Sequence, residues 1–235
     1  MTSQAAPPLV RRIIAMVTDR RRYGDAGETT AIQRVVADAA RAARAGVDSI
    51  QVREPGLPDR GLLDLVRRVA EAADPRVRVL VNGRTDVALA AGAHGVHLPA
   101  SAPSASRIRE IVPEGFLIGR SVHTIEEAIE AERIGGCDYL TFGSVYPTIS
   151  KPAGHDAAGV EALGRVCDAV RLPVLAIGGI VPERARALVQ AGAAGMAAIG
   201  MFITAGGDRE SDADQIMAAR VAQVRASFDA PVPPV

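Results

Sequence analysis

Four times along this chain one short phrase returns: AGVDSI at 45–50, AGAHGV at 91–96, GGCDYL at 135–140 and AGAAGM at 191–196. In each, a glycine stands where a helix would end, and a short turn then enters an apolar run. Glycine is the usual residue just past a helix C-terminus, so the phrase marks a repeated hand-over from helix to strand. Reading outward from it, residues 13–18, 49–53, 76–81, 95–98, 116–120, 139–142, 173–177 and 195–199 have the character of strands. Residues 31–45, 61–73, 85–91, 104–111, 124–134, 157–170, 182–191 and 212–227 carry helical spacing.

Such alternation implies a parallel sheet, because each parallel neighbour is reached by crossing over through a helix. Eight units in 235 residues fit a closed (β/α)8 TIM barrel, a single α/β domain that typically takes ~250 residues. The barrel is expected over residues 13–228, with 1–12 and 229–235 as tails. An open doubly wound sheet is the other architecture such a pattern allows, but no GxGxxG follows the first strand.

Charge and composition exclude several functions. With 27 basic and 27 acidic residues, the chain lacks the basic excess of a nucleic-acid binder. No run of 18 apolar residues occurs, so no transmembrane helix and no membrane partner are expected. The first residues lack the apolar stretch of a signal peptide. Cys137 and Cys167 are the only cysteines, without CxxC or CxxH spacing. No zinc site or disulfide framework is expected from them, and a cytoplasmic protein with reduced thiols is the expected setting.

Barrel active sites lie on the loops that leave the strands, so the strand ends carry the candidates. After the second strand come Gln51 and Arg53, alternating with Val52 and so sharing one side. The forked donors of an arginine suit a phosphate or carboxylate, the alternative being an ion pair with Glu54 or across the strands inside the barrel. Asn82 follows the third strand, either as a ligand group or as a helix-capping turn residue. Ser121 and His123 follow the fifth, ahead of a Thr124-Ile125-Glu126-Glu127 capping box. An imidazole there suits proton transfer near neutral pH, or else it is satisfied by a backbone carbonyl.

The long loop after the sixth strand holds Thr148, Ser150 and Lys151, two hydroxyls and a cation fit for an anion. His155, further along it, is expected at the surface. Gly178 and Gly179 follow the seventh strand; Ile199 and Gly200 close the eighth. Phosphate sites recur at those two loops, where backbone N–H groups and helix N-termini receive negative charge. His94 lies at the entering end of the fourth strand, away from the expected site, and His97 is read as structural.

These strand-end residues resemble the thiamine phosphate synthase and TenI superfamily over nearly the whole barrel. The carriers are Val17-Thr18-Asp19, Gln51-Val52-Arg53-Glu54, Gly95-Val96-His97-Leu98, Ser121-Val122-His123-Thr124, Asp138-Tyr139, Phe142-Gly143, Tyr146-Pro147-Thr148, Lys151 and Ala176-Ile177-Gly178-Gly179-Ile180. The resemblance implies one of two activities. A synthase joins hydroxymethylpyrimidine diphosphate to a thiazole phosphate and releases pyrophosphate, using magnesium held by two aspartates. A TenI-type tautomerase aromatises a carboxythiazole phosphate by moving a proton, without a metal.

Where synthases typically carry a lysine and those two aspartates, this chain has Pro55, Gly83 and Ala102. Loss of the metal ligands leaves a diphosphate leaving group facing an electrostatic barrier. Asn82-Gly83-Arg84, Leu98-Pro99 and Ile118-Gly119-Arg120-Ser121-Val122-His123 are similar to the tautomerase branch. The expectation is therefore an isomerase, with His123 as the catalytic acid–base and Gln51, Arg53, Asn82, Ser121, Thr148, Ser150 and Lys151 around the ring and its carboxylate. Gly178, Gly179, Ile199 and Gly200 would hold the phosphate. No cofactor and no metal is expected, magnesium entering only with the synthase alternative. The expected partner is a phosphorylated thiazole, and a homodimer is the fold-level expectation. A non-catalytic phosphometabolite-binding homologue is the third possibility.

Overall fold

The computed structural model describes residues 12–230, apart from 25, 153, 155 and 205–209. Eight parallel strands close a barrel in sequence order. They are β1 (Ile13–Val17), β2 (Ser49–Val52), β3 (Arg78–Asn82), β4 (Gly95–Leu98), β5 (Leu117–Val122), β6 (Tyr139–Phe142), β7 (Val174–Ile177) and β8 (Gly195–Ala198). The ring closes where Ile13 to Met16 pair with Gly195 to Ala198. Each strand is followed by a helix: α1 (Glu28–Ala45), α2 (Asp59–Ala72), α3 (Thr85–Ala91), α4 (Ala105–Arg109), α5 (Ile125–Ile134), α6 (Gly159–Ala169), α7 (Ala185–Gln190) and α8 (Glu210–Asp229). The expected (β/α)8 barrel is the fold observed. Most of the residues assigned to the two tails, and His155, lie outside the described residues.

The recurring phrase has a structural job beyond ending helices. Its fourth residue is Asp48, His94, Asp138 or Ala194. Asp48 accepts from the Ile14 N–H at 2.8 Å, His94 Nδ1 from the Val79 N–H at 3.1 Å, and Asp138 from the Ile118 N–H at 2.6 Å. Each acceptor sits just before an even strand and satisfies the second residue of the odd strand before it. A buried backbone N–H without a partner is costly, and these side chains supply one at the closed end of the barrel. Arg225 and Arg109 back the two aspartates at 2.8 and 2.6 Å. Asp48→Ala strands a backbone donor and removes the charged partner of Arg225, whose guanidinium keeps the Arg12 and Gly46 carbonyls. It is expected to lower stability by about 1–3 kcal/mol in urea titration, with Asp48→Asn losing less; an unchanged midpoint for the alanine would refute this role.

Strand side chains alternate between the helix layer and the lumen. Ile14 and Met16 face outward into one large apolar core with Ile50, Val81, Ile118 and Leu140. Ala15 and Val17 face inward and meet Ala197. Around the rest of the lumen the inward positions mix polar Gln51, Asn82, His97, Ser121 and Thr141 with apolar Leu80 and Leu175, which lie in register with Gln51 and Thr141. The register sets Asn82 beside His97 and Ser121 beside Thr141. Gly119 leaves room for a neighbour, since a Cβ there would lie 2.1 Å from the Tyr139 ring.

Two elements differ from the sequence expectation for local reasons. Residues 182–191 form a 3-10 turn (Pro182–Arg184) and then α7, the first turn being tightened by the Ala185 N–H donating to the Pro182 carbonyl. Strand β5 runs on to Val122, so Ser121 is a strand residue whose side chain points inward.

Candidate active site

A cavity of about 580 Å3 opens at the C-terminal ends of the strands. All twelve residues expected at the site line it: Gln51, Arg53, Asn82, Ser121, His123, Thr148, Ser150, Lys151, Gly178, Gly179, Ile199 and Gly200. Gln51 donates to the Asn82 side-chain oxygen at 2.9 Å, fixing both amides across β2 and β3. Arg53 and Glu54 part company. Glu54 is buried, accepts from Thr18 Oγ1 at 2.6 Å and from the Arg20 N–H at 2.8 Å, and has its carboxyl pushed up by burial. Arg53 stays half-exposed at the cavity, 3.9 Å from Asp19. The ion pair within Arg53-Glu54 allowed by the sequence does not form.

The loop carrying His123 is held from both sides. Thr124 caps α5 by accepting from the Glu127 N–H at 3.1 Å, while Glu127 accepts from the His123 N–H at 2.6 Å. The carboxylate thus reaches one residue further back than in a simple capping box. His123 Nδ1 lies 2.6 Å from the Gly143 carbonyl oxygen, so Nδ1 carries the proton. His97 lies deeper: its Nδ1 meets the Tyr139 hydroxyl at 3.0 Å, and its Nε2 meets Ser121 Oγ at 2.9 Å and Thr141 Oγ1 at 3.3 Å. Burial pushes the His97 imidazole down to about 4, so it is neutral at physiological pH. The unfolded chain holds that group near ~6.5. Its contribution to stability is therefore complete above that value and is lost as pH falls toward 4. Urea titration from pH 7 to pH 4.5 on wild type and His97→Gln checks this, and identical pH slopes for the two proteins would contradict it.

Backbone geometry brings the loops after β6 and β7 into contact. Val145 and Tyr146 donate to the carbonyls of Ile177 and Gly178 at 2.9 and 3.1 Å. Gly178 and Gly179 have φ of +99° and +63°, and a Cβ on them would sit 2.7 Å from Ser144 Cα and 2.4 Å from the Pro147 carbonyl oxygen. Only glycine fits both the conformation and the space. Arg184 fastens the same junction, its guanidinium 4.3 Å above the Tyr146 ring and donating to the Gly179 carbonyl.

Two cavity cations escaped the sequence reading. Arg184 lies in the 3-10 turn ahead of α7, and Arg22 in the 3-10 turn Arg20–Tyr23 after β1. The Arg22 guanidinium lies 3.7 Å from where a Gly200 Cβ would sit. A run of three arginines, Arg20 to Arg22, was the available signal, but nothing in the run says which one faces inward.

Among the described residues, no aspartate or glutamate lines the cavity, and no three His, Cys, Asp or Glu side chains converge as a metal site would need. Gly83 has φ +69°, with the Pro99 ring 3.5 Å from its Cβ direction. In the loop of Ala102, a cation takes the central place. Arg120 donates to the carbonyls of Ala100, Ala102 and Pro103 at 2.8, 3.2 and 2.9 Å. Magnesium is bound through carboxylates and substrate phosphates, and the described lining supplies no carboxylate toward it.

Comparison with known proteins bears on the activity. A family model described as thiamine monophosphate synthase matches residues 16–202. A putative thiamine-phosphate synthase of Geobacter sulfurreducens is 38% identical over 83% of this chain and 88% of its own length. The thiamine-phosphate synthase of Methanoculleus marisnigri is 40% identical over 76% of this chain and 85% of its own. A solved thiamine phosphate pyrophosphorylase from Pyrococcus furiosus superposes with a TM-score of 0.72 at 31% identity, covering 90% of this chain and 96% of that one. These relatives overturn the expected thiazole tautomerase. They carry the name of a transferase, not of an isomerase, and nothing in them singles out the TenI branch. The tautomerase expectation weighed two missing aspartates at β3 and β4 above the cations and amides retained elsewhere around the mouth.

Proposed function

We propose that this chain, which belongs to the thiamine monophosphate synthase family, is itself a thiamine-phosphate synthase: a transferase that joins hydroxymethylpyrimidine diphosphate to a thiazole phosphate and releases pyrophosphate. The observation that carries the reading is one cavity lined both by the glycine backbone after β7 and β8 and by cations from the loops after β2 and β6. Two phosphorylated substrates need two kinds of anion contact, and this mouth offers both. The names of relatives 38–40% identical to the chain support the same activity.

In this reading the thiazole phosphate rests against Gly178, Gly179 and Gly200, where backbone N–H groups suit an oxyanion. Arg53 and Lys151 receive the diphosphate, with Gln51 and Asn82 orienting the pyrimidine side by their locked amides. The thiazole nitrogen gives its lone pair to the pyrimidine methylene carbon. A C–N bond forms, the C–O bond breaks, and the diphosphate leaves with the bonding electrons. The protein's task is to hold the two reactants in line and stabilise the charge growing on the leaving group. Free thiols at Cys137 and Cys167, and no helix among the described residues long and apolar enough to span a membrane, agree with a cytoplasmic setting.

Incubating the protein with both precursors and following thiamine phosphate and pyrophosphate together tests the assignment; no product under any buffer condition would end it. This substitution moves no proton at the thiazole, so His123 serves to shape the cavity wall. His123→Ala is expected to reduce kcat less than ~10-fold, below the ~10²–10⁴ typical of losing a general acid or base. A loss of the latter size would mean that a proton does move.

A further inference from the structure

Among the described residues, the charge lining the cavity has one sign: Arg22, Arg53, Lys151 and Arg184 reach it, and no carboxylate does. Their charges are also weakly compensated. Asp19 is 3.9 Å from Arg53 but already forms a two-point pair with Arg21 at 2.8 and 2.9 Å. Arg184 is held by a ring face and a carbonyl, both uncharged partners. Arg22 is directed at the backbone of Gly200. Lys151 stands exposed on its loop, its N–H tied to the Thr148 carbonyl at 3.3 Å. Unpaired like charges gathered at one cavity repel one another, and binding an anion relieves that cost.

The positions that could have supplied a metal have gone the other way. Gly83 offers no side chain, and the Ala102 loop is wrapped around the Arg120 guanidinium. Among the described residues, a divalent cation entering this mouth would meet four positive side chains and no carboxylate oxygen.

We propose that this cavity binds a diphosphate without a divalent cation, its charge met by Arg53 and Lys151, while Arg22 and Arg184 stand beside Gly200 and Gly179 at the other phosphate. For the identity of the anion, the proposal rests on the synthase reading. Arginine forks can take two phosphate oxygens at once, and the lysine adds a point charge from the opposite side of the mouth.

Isothermal titration with inorganic pyrophosphate decides it, using the full chain in excess EDTA and again in excess magnesium chloride. The expected result is binding in EDTA at least as tight as in magnesium, because the metal competes with the protein for the anion. Arg53→Gln and Lys151→Gln are each expected to weaken binding in EDTA by ~10-fold or more, the effect of removing a charge-assisted contact. Pyrophosphate that binds only with magnesium, or in neither buffer, overturns the proposal. The synthase reading is tested separately by product formation from both precursors in the same two buffers. Product made only with magnesium sinks the metal-free proposal and keeps the synthase. Pyrophosphate bound in EDTA with no product in either buffer sinks the synthase and keeps the metal-free site.

Discussion

Arg53→Ala is expected to lower kcat/KM for thiamine phosphate formation by about 10²–10³, with most of the loss in kcat. Arg53 directly follows β2, beside the Gln51–Asn82 amide pair, and its guanidinium is half-exposed toward the cavity. A diphosphate carries more charge on the departing oxygen in the transition state than in the ground state. A cation fixed nearby therefore acts more strongly on the former, which is what raises kcat rather than lowering KM. Geometry gives a second expectation: Arg53→Lys restores the charge but not the two-point fork, and recovers only part of the rate. The fold should not suffer, since the side chain is not in the core. Steady-state kinetics with both precursors, supported by circular dichroism, measures this. A kcat within threefold of wild type for the alanine variant would remove Arg53 from the reaction.

The barrel was readable because its signals are local and repeated. A glycine after every other helix, Gly46, Gly92, Gly135 and Gly192, with an apolar run after each, sets the order of elements, and barrel physics then says which strand ends form the mouth. That is why Gln51, Asn82, His123 and Gly179, far apart in sequence, were expected together and meet at one cavity. Arg22 and Arg184 were hidden because each lies in a 3-10 turn, where no strand alternation reports which side chain points inward. The hydroxyl set around His97 was hidden for another reason: β5 ends at Val122 rather than Arg120, and only then does Ser121 join the lumen. The branch of the family was misread because a missing ligand was treated as a missing reaction. Gly83 and Ala102 say that one way of meeting the diphosphate charge is absent. They do not say what the remaining cations do.

Asp38→Ala is expected to cost about 3–5 kcal/mol of folding stability, the range for breaking one side of a buried charged cluster. Asp38 sits within α1 with no exposed surface. It accepts from the Tyr23 hydroxyl at 2.7 Å, the Arg41 guanidinium at 3.0 Å, and the Thr204 N–H and hydroxyl at 3.1 and 2.7 Å. Burial together with the Asp38 charge pushes the Tyr23 phenol far up, so that phenol stays a donor. Alanine would leave the Tyr23 and Thr204 donors facing an apolar void while Arg41 keeps Asp214, and each unsatisfied buried group costs ~1–3 kcal/mol. For a chain of this size the melting temperature should fall by roughly 2–4 °C per kcal/mol. Asp38→Asn keeps one acceptor oxygen but turns an amide N–H₂ toward donors, so it should fall between wild type and alanine. The effect reaches the site as well. Tyr23 closes the turn that carries Arg22, and Thr204 follows the 3-10 turn Gly200–Phe202. One carboxylate thus ties together the two segments that meet at the β1–β8 side of the mouth. At a temperature where the alanine variant remains folded, KM for the thiazole phosphate should rise more than KM for the pyrimidine diphosphate. Equal rises would mean that Asp38 supports the fold without positioning that side of the cavity.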